Sequence, residues 1–541
     1  MIKNFINDLK REFAGYNGKS FSKDIMAGLT VTAVALPLAL AFGVSSGANA
    51  AAGLITAIIA GFIISAFSGA SFQISGPTGA MTAVLITIVA KFGMQGVFIA
   101  CLIAGIIVLL CGIFRLGNLV SFIPMPVVTG FTSGIAIIIA LGQIDNFFGT
   151  VSVGESAIAK LISYGTLGFS PNWFAVAIGL LVVLIMVFYP KKWSNVVPSS
   201  LVAIIIAALV SNIGGFDIAT VGEIPKTLLP EVRLTIAGID INIVKELIAP
   251  AFTIAMLCII ESLLCGSAAA RMKKEPFNAD QELVAQGIGN ILIPFFGGVP
   301  ATAAIARTSV AIKSGGVTRL TGIIHAVGLL ISMFLLGPLM AKLPLSALAG
   351  VLIVTAWRMN EWESIKYIFS KGFKGAIAKF LITMVCTVVF DLTVAIIVGV
   401  AFSFMLFVVK SSKIEINISK VENDKLRDSD ENVEANHKNS VVMYITGSMF
   451  FGNCSKFNDA VAELDGYDEI IFSLRGVSAM DISCAQNLYE ICSELKENEV
   501  KLSFCGVQPT VKEVMQRAGV VDFVGEHCFY WSVDKALLAK N

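Results

Sequence analysis

The stretches SFQISGPTGA (71–80) and FFGGVPATAAIARTS (295–309) decide how this chain reads. Gly76-Pro77-Thr78-Gly79 opens one short apolar run, and Gly298-Val299-Pro300-Ala301-Thr302 opens another. The residues ahead of them, 71–75 and 295–298, read as extended rather than helical. Within a membrane, an extended lead-in starts its helix near the bilayer midplane. Such a start presents unpaired N–H groups and about half a positive charge. Two starts facing one another make an anion site without a dedicated cationic side chain. The expected donors are the amides of Thr78, Gly79 and Ala80 on one side and of Ala303, Ala304 and Ile305 on the other. Hydroxyls of Thr78 and Thr302 can add to them. The competing reading is a pair of ordinary proline kinks.

The rest of the chain supplies the membrane. Of its 541 residues 56% are hydrophobic and 14% charged, with a mean hydropathy of +0.82. Soluble domains carry about 25% charged residues. A water-exposed protein of this composition would show more apolar surface than monomers tolerate. About fourteen apolar stretches recur, near 25–44, 50–69, 77–90, 96–114, 121–142, 172–190, 197–213, 246–270, 280–296, 301–313, 317–341, 345–357, 376–390 and 391–409. A full span needs about 20 residues, so several are short or broken. Gly and Pro interrupt many of them, which only a protein-lined interior tolerates.

An even count places both termini on one side. With the N-terminus inside, the inner loops carry Arg115, Lys191, Lys192, Arg271, Lys273, Lys274 and Arg358, while the outer loops carry few cations, in keeping with the positive-inside rule. Residues 1–23 form a polar, cytoplasmic N-terminal segment without the pattern of a cleaved signal, so the first span serves as the insertion signal. The transmembrane region then covers 24–410. Pro126-Val127-Val128-Thr129-Gly130 and Pro344-Leu345-Ser346-Ala347-Leu348-Ala349-Gly350 repeat the punctuation seven spans apart, as the two Gly–Pro openings do. Seven is odd, so the repeat is inverted, seven spans plus seven.

Ionisable residues within the apolar runs are candidates for function. Arg307 lies two turns into the tenth span; at about 5 Å and an effective dielectric near 20 it attracts a monovalent anion by about 3 kcal/mol. Glu261 is the lone carboxylate of AFTIAMLCIIESLLCGSAAA (251–270). A carboxylate removed from water can take up a proton at accessible pH. When charged it repels a neighbouring anion, and a proton or bound cation removes that repulsion. The plainer alternatives are a permanent Glu261–Arg307 ion pair, or a snorkelling arginine. Asp391 reads as a helix cap.

After Lys410 the composition changes. Residues 411–440 read as a strand followed by a charged linker or insertion. From 441 to 541, VVMYIT (441–446), EIIFSL (469–474) and KLSFCG (501–506) read as buried strands. Amphipathic helices near 454–464, 483–496 and 510–518 alternate with them, giving a small cytoplasmic α/β domain. The ten cysteines and three histidines form no ligand pattern, so no metal site, cofactor or disulfide is expected, and nothing points to nucleic acid.

DIMAGLTVTAVALPLALAFGVSSG (24–47), QISGPTGA (73–80), ESLLC (261–265), NADQELVAQGIGN (278–290), FGGVPATAAIARTS (296–309) and VVFDLTVAIIVGV (388–400) together resemble the SulP family of anion transporters. SLRGVSAMDISCAQNL (473–488) is similar to the STAS domain attached to most of that family. The resemblance implies an elevator, in which a core domain rocks against a gate domain, and a homodimer. It places the anion site between spans three and ten with help from span one, implicating Phe42, Thr78, Ala304 and Arg307. Leu38 stands where some members carry a glutamine. Glu261 and Cys265 stand where sodium-coupled members carry aspartate and threonine, so a proton is the expected coupling ion rather than sodium. Ser483 matches a serine that can be phosphorylated in related regulators, although Cys484 replaces the usual glycine; on its chemistry alone it reads as a helix N-cap.

The expectation is therefore a non-enzymatic secondary transporter in the plasma membrane, multi-pass, carrying sulfate, bicarbonate or a dicarboxylate. The alternatives are an uncoupled anion channel or exchanger, and a nucleobase–cation symporter of the same fold.

Overall fold

The computed structural model describes every residue except 1, 119–122, 155–156, 191–196, 236–240, 391, 412, 422–438, 465 and 540–541. Asp391 and most of the expected linker thus lie outside the described residues. The chain divides into two compact units, Met1–Val400 and Ala401–Asn541.

The first unit is helical, and each of the apolar stretches carries a helix. Helix α1 (Ile2–Glu12) precedes α2 (Gly18–Ser45) and α3 (Ala50–Phe67). The sequence expected the first span from residue 24, but α2 starts at Gly18. Asn17 caps it, its side chain accepting from the N–H groups of Lys19 and Ser20 at 3.0 and 3.1 Å. Asn49 caps α3 in the same way through Ala52. Glycines let α2 and α3 touch backbone to backbone. A Cβ on Gly53 would lie 2.1 Å from the Ala39 carbonyl oxygen, so no larger residue fits.

Strand β1 (Ser75–Gly76) leads into α4 (Gly79–Ile113), which Gly93 breaks at φ +64° into the two arms the sequence separated at 77–90 and 96–114. Then follow α5 (Met125–Gly142), α6 (Ile144–Phe148), α7 (Ala157–Leu167), α8 (Trp173–Phe188), α9 (Ser199–Gly214), α10 (Ile241–Lys273) and α11 (Ala279–Leu292). Strand β2 (Thr302–Ala303) leads into α12 (Ile305–Lys313), followed by α13 (Leu320–Met340), α14 (Leu345–Met359), α15 (Trp362–Ser370), α16 (Lys374–Val389) and α17 (Leu392–Ser411).

These helices pack as two groups. One joins α2, α3, α4, α10, α11, α12 and α13; the other joins α5, α8, α9, α14 and α16. They meet where α14 and α9 touch α2 and where α4 touches α5. Among the described residues six helices are long and apolar enough to cross a membrane, and four shorter apolar helices accompany them. Large apolar side chains such as Phe188, Ile213 and Leu335 stand exposed on the outside, a surface that suits lipid rather than water.

The second unit contains a five-stranded sheet in the order β3 (Glu415–Lys420), β4 (Ser440–Thr446), β5 (Glu469–Gly476), β6 (Lys501–Cys505), β7 (Phe529–Tyr530). The first pair is antiparallel and the others are parallel. Parallel strands need covered faces, because their crossovers are helices. Helices α18 (Cys454–Ala462), α19 (Ile482–Glu497) and α20 (Pro509–Arg517) connect them. Phe457, Phe472, Phe504 and Phe529 follow one another through the core, each ring near the next. Val442, Ile471 and Cys505 meet Ala536 and Leu537 in a separate cluster.

Candidate functional site

The two Gly–Pro stretches meet. Strands β1 and β2 run antiparallel, with Ser75 opposite Ala303 and Gly76 opposite Thr302. Residues more than 220 apart in sequence thereby form a small crossed ribbon, and a helix leaves each end of it. The sequence expected 295–298 to be extended. Instead Ile293–Phe296 make a 3-10 turn, with Pro294 near its start and Gly297 closing it at φ +76°. The extended path begins after it and lasts until Ala304.

A ladder of polar residues fixes this path. On α11, Gln286 donates to the Ser75 hydroxyl at 2.8 Å, and Asn290 both donates to and accepts from the Ala301 backbone at 2.9 and 2.8 Å. Glu282, one turn earlier, accepts from Gln286, from the Ser68 hydroxyl and from the Gly69 N–H. On α3 the Thr56 hydroxyl accepts from the Val299 N–H at 2.7 Å. On α10 the Ser262 hydroxyl accepts from the Ala303 N–H at 3.2 Å and bonds Thr302 Oγ1 at 2.9 Å. Unpaired backbone groups in a buried ribbon would each cost about 1–3 kcal/mol. Sequence reasoning passed over Ser262 and Thr56. Glu282, Gln286 and Asn290 recur every fourth residue on an apolar helix, a signal that could have been read.

These bonds revise the donor set. The amides of Ala303 and Ala304 are committed within the fold, Ala304 to the Ile74 carbonyl at 3.0 Å, and Thr302 is held by Ser262. The second helix therefore offers its first-turn amides, those of Ile305, Ala306 and Arg307, which α-helical geometry leaves without a partner. Ile305 is 49% exposed and Ala306 is exposed beside it, so this start is open.

The start of α4 is closed. Thr78 precedes it with an extended backbone, and its hydroxyl does not cap the helix but donates to Glu261 Oε2 at 3.0 Å. Ala80 is fully buried and Phe42 nearly so. A Cβ on Gly79 would come 3.1 Å from Phe42 Cε1 and 2.2 Å from Ile139 Cδ1. Phe42, Thr78, Gly79 and Glu261 are thus brought together on α2, α4 and α10, with Ile139 on α5 as a neighbour that the sequence did not suggest. Leu38 is buried, and the Cys265 thiol turns to Thr308 Oγ1 at 3.4 Å.

Arg307 is 1% exposed and makes no ion pair with Glu261. Its Nη2 donates to the Pro77 carbonyl at 2.8 Å, so the second half reaches across to the lead-in of the first. Gly76 makes room for it, since a Cβ there would lie 2.2 Å from Nη1. Nε and Nη1 have no protein partner among the described residues.

In the second unit Ser483 is not the helix cap. Asp481 is, its Oδ1 accepting from the Cys484 N–H at 2.8 Å and its Oδ2 from the Phe451 N–H at 2.9 Å. A carboxylate accepts from two amides at once, which a hydroxyl does less well. Ser483 stands exposed in the first turn of α19. Burial raises the Cys484 thiol well above its ordinary range, so it is a packed apolar group.

The sulfate permease family matches residues 21–386, and the STAS domain matches residues 432–536. The putative sulfate transporter YvdB of Bacillus subtilis is 34% identical over 96% of this chain and 97% of its own length. The solved transmembrane domain of a cyanobacterial bicarbonate transporter, BicA, is 32% identical, covers 71% of this chain and 98% of that one, and has a TM-score of 0.65. Murine Slc26a9, an anion transporter solved in the inward-facing state, shares the fold at 16% identity, with a TM-score of 0.83 over 97% of this chain and 92% of that one.

Proposed function

This chain belongs to the sulfate permease family and carries a STAS domain, and on that premise we propose that it is a proton-coupled symporter for a small oxyanion, sulfate or bicarbonate. A membrane anion transporter is the activity the relatives share by name. The coupling is the finer reading, and one contact carries it: the Thr78 hydroxyl at the start of α4 donates to Glu261.

The first-turn amides of α4 and α12 supply the positive field, and Arg307, bonded to Pro77 just after β1, adds a full charge. Glu261 opposes them while it is ionised. A proton on Glu261 cancels its repulsion, and a protonated carboxyl can donate a hydrogen bond where the carboxylate could only accept. Anion and proton then favour each other's binding by the same factor, as linkage requires. The α2–α4 and α10–α13 group serves as the moving core and the α5, α8, α9, α14 and α16 group as the gate of an elevator. The STAS unit lies on the cytoplasmic side, and a homodimer is the working assembly.

Uptake of radiolabelled sulfate and bicarbonate into proteoliposomes tests this reading. An inward proton gradient should stimulate uptake by the native chain and leave Glu261→Gln unaffected. Uptake that ignores the gradient in the native chain rejects proton coupling, and absence of uptake of either anion rejects the substrate class.

A further inference from the structure

Near the ribbon several buried polar atoms have no hydrogen-bond partner among the described residues. His325 on α13 is fully buried, and neither ring nitrogen has a partner among the described residues. Ser65 on α3 is 1% exposed and its hydroxyl is likewise unpartnered, as are Nε and Nη1 of Arg307. Buried polar atoms are nearly always bonded to protein or to ordered water.

The three side chains line one face of α3. The space beside Gly76 is shared by Arg307 Nη1 and Ala57; the space beside Gly61 is met by His325 Cδ2 at 3.4 Å; and Ser65 faces Gly322, one turn before His325 on α13. Residues 57, 61 and 65 are one turn apart, so the positions these groups lie against are spaced by about 6 Å along α3. None of these atoms bonds another directly, and a spacing of that order suits bridging water.

We propose that a file of bound water runs along this face of α3, and that His325 is a positioning residue: through water it holds the Nε and Nη1 edge of Arg307 and so fixes where the guanidinium sits relative to the anion. A buried guanidinium with one protein acceptor needs further acceptors to stay charged and in place. An imidazole supplies one acceptor and one donor, and a serine hydroxyl can do both, so each water finds two or more partners. This inference rests on the proposed anion transport.

The test compares His325→Leu, which keeps volume but removes both nitrogens, with His325→Gln, which keeps a donor and an acceptor. The readouts are KM and maximal rate for uptake of radiolabelled sulfate, with radiolabelled bicarbonate as second probe, and a water-resolving cryo-EM map of the full-length protein. The Leu variant should raise KM about tenfold with a maximal rate little changed, and Gln should restore KM to within about twofold. A Leu variant with native KM, a fall in maximal rate alone, or a Gln variant as impaired as Leu overturns the proposal. If the native chain takes up neither probe, or the Leu variant does not fold, the map decides: ordered water between Arg307, His325 and Ser65 supports the file, and dry packing there refutes it. Failure of uptake by the native chain counts against the transport reading alone.

Discussion

The two helix starts at the ribbon are built from matching sequence and used differently. At α4 the start is closed: Gly79 lies against Phe42 and Ile139, Ala80 is buried, and the Thr78 hydroxyl is given to Glu261. At α12 the start is open: Ile305 and Ala306 are exposed, and the residues before them are tied down by Ser262 and by Ile74. The repeat builds the ribbon, and its departures from symmetry distribute the work. The first half carries the contact to the Glu261 carboxylate, and the second carries the Arg307 guanidinium. Arg307 joins them by bonding Pro77 across the pair.

The largest expected effect is on the charged side of this contrast. Arg307→Ala should lower uptake efficiency for sulfate about 100-fold, from an attraction of about 3 kcal/mol at about 5 Å. Arg307→Lys should recover part of it. Retention of full activity in the alanine variant would remove the charge from the mechanism.

Next comes steric tolerance. Gly79→Ala should cost about tenfold in uptake, since overpacking costs about 1–3 kcal/mol, and Ile139→Ala in the same chain should relieve it. Ala306→Val at the open start should change uptake less than about twofold by the same reasoning, because Ala306 is exposed. Equal sensitivity at the two positions would break the contrast.

The ribbon itself should matter for folding. Asn290→Ala leaves the Ala301 N–H unpaired and its carbonyl with only the Cys258 thiol, and should destabilise the purified protein by about 1–3 kcal/mol, read as a lower unfolding temperature. The smallest effect lies outside both halves, in the STAS unit. Asp481→Ala should cost about 1 kcal/mol as a lost helix cap, whereas Ser483→Ala should stay within about 0.5 kcal/mol. Reversal of that order would return the cap to Ser483.

Much of this was legible before any coordinates. Glycine and proline mark where backbone leaves the helix, so the short runs and their lead-ins could be placed, and Gly93 could be felt as a gap between two apolar stretches. Strands of the second unit announced themselves as apolar runs between amphipathic helices. What escaped were choices set by distant partners. Whether the Ala303 amide is free depends on Ser262, 41 residues away. Whether Thr78 caps its helix depends on Glu261, 183 residues away. The 3-10 turn at Ile293–Phe296 turns on the left-handed conformation of Gly297, which sequence permits without requiring. Asp481 and Ser483 are both good caps; the helix starts at Ile482, so Asp481 caps it through the Cys484 N–H, and the backbone path of Phe451 gives that carboxylate a second donor.

The central claim is that both helix starts hold one anion between them. A structure of the protein with selenate, located by its anomalous signal, tests it most directly. The account predicts one peak with oxygens about 3 Å from the amides of Gly79 or Ala80 and of Ile305 or Ala306. A peak held by only one of the two starts, or by neither, would contradict it.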